Sequence, residues 1–143
     1  MSQHTLWQLQ PHTAAKHALL GAYLTAWFPI LGSRNQRVRF IDGFAGPGEY
    51  LGGEPGSPLV ALEAARAHED RLADRDLNFV LIEQDRSRCE HLQSLVDERK
   101  AAGEIPGNIA FSVRNGSFSE VINRGLDRLG NSELGPTFVM IVT

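Results

Sequence analysis

The sequence predicts an α/β protein in which a parallel β-sheet is flanked by helices. Two observations carry this. Four short apolar runs have the length of buried strands, and stretches of helical periodicity stand between them. The order is helix, then strand and helix three times, then strand, which is the signature of a parallel sheet built from crossover units. The chain of 143 residues is the size of one domain, so a single domain spanning 1–143 is expected. Hydrophobic residues make up 42% and charged residues 22%, a globular balance that excludes disorder along the whole length.

The first helix is expected over His12 to Leu31, where Ala15, Leu19, Ala22, Tyr23, Ala26, Trp27 and Ile30 recur at three- and four-residue spacings. Pro29 should end or kink it, because proline lacks the amide that the preceding turn needs. Gly32 to Asn35 is then a turn, and Val38 to Asp42 a buried strand. Gly43 to Ser57 holds glycines at 43, 46, 48, 52, 53 and 56 together with Pro47 and Pro55, and is a long loop. Ser57 as N-cap and Pro58 at the first helical position start a helix running from Leu59 to Ala67. From the end of this helix towards the next strand, Arg66, Arg71 and Arg75 interleave with Glu69, Asp70, Asp74 and Asp76, which reads as a solvated linker face.

The second strand is expected over Asn78 to Ile82, ending at Glu83. Asp85 caps a helix to about Lys100 that Gly103 stops. Ile109 to Val113 is the third strand, and Ser117 with Glu120 forms a capping box opening a helix through about Leu129. Thr137 to Thr143 is the fourth strand, next to the first and with its outer edge unpaired. Such an edge is an aggregation hazard, so a partner or a homodimer through the exposed fourth strand is expected.

A net charge of −3 disfavours a general nucleic-acid coating protein, leaving Arg34, Arg37 and Arg39 as the local basic cluster. A single cysteine, Cys89, excludes an internal disulfide and a thiolate zinc cluster, and fits a buried thiol in a reducing compartment. No apolar run approaches the roughly 18 to 20 residues needed to cross a membrane. No secretory signal opens the chain, so a cytoplasmic location is expected. The histidines at 4, 12, 17, 68 and 91 do not pair at metal-ligand spacing, and no metal site is expected. Trp7, Tyr23 and Trp27 are core-packing residues in preference to a base-stacking platform.

In an open parallel sheet, ligands bind beyond the carboxyl ends of the strands. After the first strand come Asp42, Gly43, Phe44, Ala45, Gly46, Pro47 and Gly48. Glycines at 46 and 48 admit a ligand close to the backbone, with amides available to it. Asp42 suits a cationic ligand end better than a pyrophosphate. The glycine spacing is not G-x-G-x-x-G and no Walker loop occurs, which disfavours an NAD-dependent oxidoreductase. Glu83, ending the second strand, offers two acceptor oxygens to the neighbouring hydroxyls of a ribose. Asn115 and Ser117 can reach an adenine edge, with a plain helix cap as the equal alternative.

The string from Asp42 to Gly48 resembles the first motif of class I S-adenosylmethionine-dependent methyltransferases, especially the nucleic-acid-modifying branch with D-x-F-x-G-x-G. Together with His12-Thr13, Lys16 and the Tyr23/Trp27 helix, and with Gly56-Ser57-Pro58-Leu59 ahead of Ala61-Leu62, it looks like the three-Cys-motif partner protein family. The resemblance implies a Rossmann-like methyltransferase fold and S-adenosylmethionine as cofactor. Asp42, Phe44, Ala45, Gly46 and Gly48 would lie at its methionine side, Glu83 at its ribose, and Asn115 and Ser117 at its adenine. It also implies an encoded neighbour, a three-cysteine protein similar to radical S-adenosylmethionine enzymes, as partner, with nucleic acid among the candidate substrates.

Such proteins continue after the fourth strand with an Asp-Pro-Phe-Gly motif, whereas this sequence reads Phe138-Val139-Met140-Ile141-Val142-Thr143 and stops. The expectation is a fold truncated after the fourth strand, with its cofactor half in 37–143 and without the substrate half. The alternative is a non-catalytic module that keeps the fold as a partner-binding surface.

Overall fold

A computed structural model describes residues 6–129 and 135–141. The elements in order are α1 (Pro11–Gly32), β1 (Arg37–Asp42), α2 (Ser57–Arg66), α3 (Glu69–Leu72), β2 (Asp76–Glu83), α4 (Arg86–Ala101), β3 (Ile109–Asn115), α5 (Phe118–Leu129) and β4 (Thr137–Met140). The strands form one sheet in the order β3-β2-β1-β4, with every neighbouring pair parallel. The α/β class expected from the sequence is therefore present, in a Rossmann-like arrangement.

Strand residues alternate between faces, and here the two faces differ sharply. Val38 and Phe40 of β1 and Leu77, Phe79 and Leu81 of β2 point to the side covered by α1, α2 and α4, where they meet Leu24, Phe28, Leu62 and Leu92 in one core. Pairing places Phe111, Phe79, Phe40 and Phe138 at one level across all four strands. Their ring centroids are 4.9, 5.5 and 5.8 Å apart along the row. Phe28 stacks on Phe79, and Trp27 meets Phe138 edge-on. Each such pair contributes about 0.5–1.5 kcal/mol beyond its burial. The opposite face, carrying Arg39, Ile41, Asn78 and Val80, meets α5.

Four expectations need correction. The buried side of α1 is Leu20, Leu24 and Phe28, whereas Leu19, Tyr23 and Ile30 are exposed, Leu19 by 73%. The helix is apolar around most of its circumference, so spacing alone does not choose a face. Packing on α2 does, at Gly21, where a Cβ would lie 3.3 Å from Val60.

Pro29 does not end the helix, which continues to Gly32. It lies in the last turn, where its missing amide removes one bond and its own carbonyl still accepts from Ser33 N–H at 3.0 Å. The stretch expected as linker contains the short α3, whose Leu72 is buried against Gly32. Ser57 lies inside α2, and Gly56 takes the N-cap position.

Among the described residues, β4 ends at Met140; the expected extension to Val142 and Thr143 lies outside them. Asp85 caps α4 by accepting from Arg88 N–H at 2.9 Å, and Ser117 Oγ accepts from Glu120 N–H at 3.3 Å. No helix of the described residues is long and apolar enough to cross a membrane.

Candidate functional site

The loop between β1 and α2 sets the geometry at the carboxyl ends of the strands. After Asp42 the chain turns sharply, and four successive amides find partners inside the protein. Gly43 N–H bonds to Met140 O at 2.8 Å, Phe44 N–H to Asp42 Oδ1 at 3.2 Å, Ala45 N–H to Ile82 O at 2.9 Å and Gly46 N–H to Glu83 Oε1 at 2.9 Å. These amides are not a nest for a phosphate, because a nest needs its N–H groups turned outward. Gly46 and Gly48 have φ of +67° and +90°, in the left-handed region that glycine adopts without strain. A Cβ on Gly48 would lie 2.8 and 2.9 Å from Leu92 and Leu95 of α4. Its glycine is therefore required by packing, not by an approaching ligand.

The remainder of the loop leaves and returns through an antiparallel bridge between Glu49 and Pro55, closed by Gly56 N–H on Gly48 O at 2.7 Å. This closure delivers Ser57 onto Asp42, and the hydroxyl donates to Oδ2. Asp42 is only 1% exposed. Burial raises its pKa from the ordinary 3.8 to about 6, against the lowering by the Ser57 and Phe44 hydrogen bonds and with a further rise from the Glu83 charge. Glu83, also buried, ends β2 and receives Gly46 N–H on one oxygen and Asp85 N–H on the other at 2.7 Å. It joins the glycine loop to the cap of α4.

Above these groups lies a cleft of about 830 Å³, within the range of small-molecule sites. Its position matches the topological rule for open sheets: β1 is flanked by β2 on one side and β4 on the other, so the order in which strands are added reverses there. One wall is the glycine loop with Glu83 and Asp85. The other is the entry to α1, with His12, Thr13, Lys16 and His17, and the strap before it.

Trp7 anchors the strap. Its carbonyl accepts Leu51 N–H at 2.8 Å, and its ring lies 3.8 Å beneath the Arg88 guanidinium. His17 faces Tyr50, ring to ring at 5.8 Å, and burial lowers its basicity. Burial and the Asp42 charge raise the Tyr50 phenol. His91 on α4 meets Glu49 at 3.1 Å.

Of the residues singled out in the sequence, Phe44, Ala45, Gly46, Gly48 and Glu83 line the cleft. Asp42 lies beneath it, with both oxygens held by Ser57 and Phe44. Asn115 and Ser117 do not line it: Asn115 lines the groove on the other sheet face and clamps two carbonyls, those of Glu83 at 3.0 Å and Gln84 at 3.1 Å, while Ser117 caps α5. Between them Gly116 contributes to the lining.

Sequence reasoning missed Arg88 and the place of Trp7 in this cleft. Trp7 precedes the first helix by only a few residues and carries no periodicity, and Arg88 reads as an ordinary surface residue of α4. The basic cluster at Arg34, Arg37 and Arg39 is not brought together at the cleft; Arg37 pairs with Asp76 at 3.8 Å on the surface and Arg39 lies on the far sheet face. Among the described residues no three metal-ligating side chains converge. Cys89 is buried in α4, and burial raises its thiol above the ordinary range. No protein-family model matches the chain, and no curated protein does.

Proposed function

We propose that the chain is an S-adenosylmethionine-binding, methyltransferase-like protein of the three-Cys-motif partner family. The observation that supports this most is the placement of the Asp42-to-Gly48 string at the carboxyl end of β1, beside the strand reversal, with Glu83 on the adjoining strand end. The donor chemistry fits as well. Amides 43–46 are turned inward, which disfavours a pyrophosphate, and the carboxylates of Asp42 and Glu83 make this wall of the cleft negative, suiting a cationic ligand centre.

Each Glu83 oxygen accepts one backbone amide and retains a second lone pair for a ribose hydroxyl. Lys16 brings positive charge to the opposite wall of the cleft, and Arg88 adds to it from the start of α4, as a ligand carrying both charges requires. When bound, the cofactor supplies an activated methyl group, and the chain's contribution is to hold it in position. Methylation of nucleic acid, and association with a three-cysteine protein similar to radical S-adenosylmethionine enzymes, belong to the same proposal.

A second reading, a non-catalytic binding module, is favoured by one observation: the glycine loop satisfies its own amides and Asp42 without any ligand. Calorimetric titration with S-adenosylmethionine and S-adenosylhomocysteine separates the two. Gly46→Asn is the informative variant, because asparagine tolerates the left-handed region and a Cβ there meets nothing nearer than Trp7 at 3.8 Å. Saturable binding lost in a folded Gly46→Asn protein and weakened about tenfold in Glu83→Gln supports the cofactor reading. No binding by the folded wild type rejects it and leaves the module.

A further inference from the structure

Parallel sheets are ordinarily covered on both faces. In this fold the face bearing Phe40 and Phe79 carries α1, α2 and α4, whereas among the described residues α5 is the helix on the other face. Between α5 and the sheet, along all four strands, this leaves a groove of about 850 Å³. Its floor is Ile41, Val80 and Val139 and its wall is Val121 and Ile122 of α5. Val139 is 42% exposed, although its strand neighbour Ile41 is nearly covered.

The charge in the groove has one sign. Arg39, Arg114 and Arg124 line it and, among the described residues, no aspartate or glutamate does, in a chain whose net charge is −3. Arg39 is half-buried in the floor, and its Nε is buried without a hydrogen-bond partner. A buried guanidinium nitrogen left in this state loses its hydration without compensation, and a carboxylate is the acceptor that restores it best.

We infer that this groove docks an amphipathic helix of a separate protein, with apolar residues on one stripe and carboxylates beside it. The apolar floor matches the stripe of such a helix, and the three arginines match its acidic flanks. A second copy of this chain seated face to face would set arginine against arginine, which like-charge repulsion disfavours. A nucleic acid would meet the arginines but leave the valine and isoleucine floor without a counterpart. The inference rests on other observations than the cofactor cleft, since the groove opens on the opposite sheet face from α1 and the strap, although Phe118 lines both and Asn115 lines the groove.

The test uses a synthetic helical peptide of about 15 residues, roughly 22 Å long, with leucines at i, i+4 and i+7 and glutamates flanking them. A control peptide has lysine in place of each glutamate. Titration of the full chain should show saturable binding of the glutamate peptide, weakening with salt and at least about tenfold tighter than the lysine peptide. Arg39→Gln should weaken it about tenfold. Arg114→Gln, at an exposed position and therefore safe for folding, should weaken it severalfold.

Equal binding of both peptides overturns the inference, as does absence of binding by folded protein. Tighter binding of a single-stranded oligonucleotide than of the glutamate peptide replaces it with a nucleic-acid surface. A concentration-dependent dimer dissociated by Val139→Glu replaces it with a homodimer.

Discussion

Asp42 provides the sharpest test of the site's electrostatics. Its carboxyl is 1% exposed and titrates at about 6, above the ordinary 3.8, with burial as the leading cause. A raised carboxyl means that the folded protein holds its proton where the unfolded chain has released it. Stability contributed by this group is therefore greatest below about pH 4, falls as pH rises through the window to about 6, and is level above it. The difference between the two values amounts to about 3 kcal/mol.

Replacing Asp42 with asparagine removes the titration and keeps the shape. Its oxygen can still accept Phe44 N–H, and its amide can donate to the Ser57 hydroxyl, which accepts as well as donates. Urea unfolding of both proteins followed by circular dichroism at pH 4 and pH 7.5 gives the answer by double difference, since every other titrating group is common to both. The wild type should lose about 2 kcal/mol relative to Asp42→Asn between these pH values, less than the full difference because pH 4 lies just above the unfolded value. With a urea dependence of about 2 kcal/mol per M this is a relative midpoint change of about 1 M. A difference that stays constant with pH, or one in which the wild type gains with rising pH, refutes the assignment of a buried, raised carboxyl.

Two further outcomes follow from packing. Gly48→Ala should destabilise by more than about 2 kcal/mol, combining a left-handed backbone with a clash on Leu92 and Leu95, whereas Gly53→Ala, at φ +84° with nothing within 4 Å, should lose about 1 kcal/mol; thermal unfolding of the pair checks the order. Cys89, buried and with its thiol raised, should react with a thiol-specific disulfide reagent on the timescale of unfolding and not of collision; rapid labelling of the folded protein contradicts its placement.

Much of the architecture was legible because it rests on local rules. Alternation of apolar runs with capped helical stretches gave the α/β class and, among the described residues, the four strands and four of the five helices, each within a few residues of its observed bounds. Asp85 and Ser117 were readable as caps because a cap is a relation between residues three apart in sequence. The short α3 was not legible, since its charged residues outnumber its one buried leucine and their solvation dominates the pattern.

The site divides in the same way. Its location at the end of β1 and β2 follows from strand order and from glycine after an apolar run, so Phe44, Ala45, Gly46, Gly48 and Glu83 could be named without coordinates. The state of those groups could not. Ser57 looked like a helix cap and is instead the donor to Asp42, because an excursion from Glu49 to Pro55 closes on Gly48 and Gly56 and carries it there.

The sequence by itself determined which segments are strands and helices, and where along the chain the cleft at the strand ends falls, since these depend on periodicity, capping and glycine at short range. Only the tertiary structure decided which face of α1 is buried, that Phe111, Phe79, Phe40 and Phe138 stand in one row, and that the loop's amides turn inward onto Asp42 and Glu83. The physical reason is that side chains far apart in sequence compete for the same space and the same hydrogen-bond partners, and that competition is resolved by register and packing across the sheet.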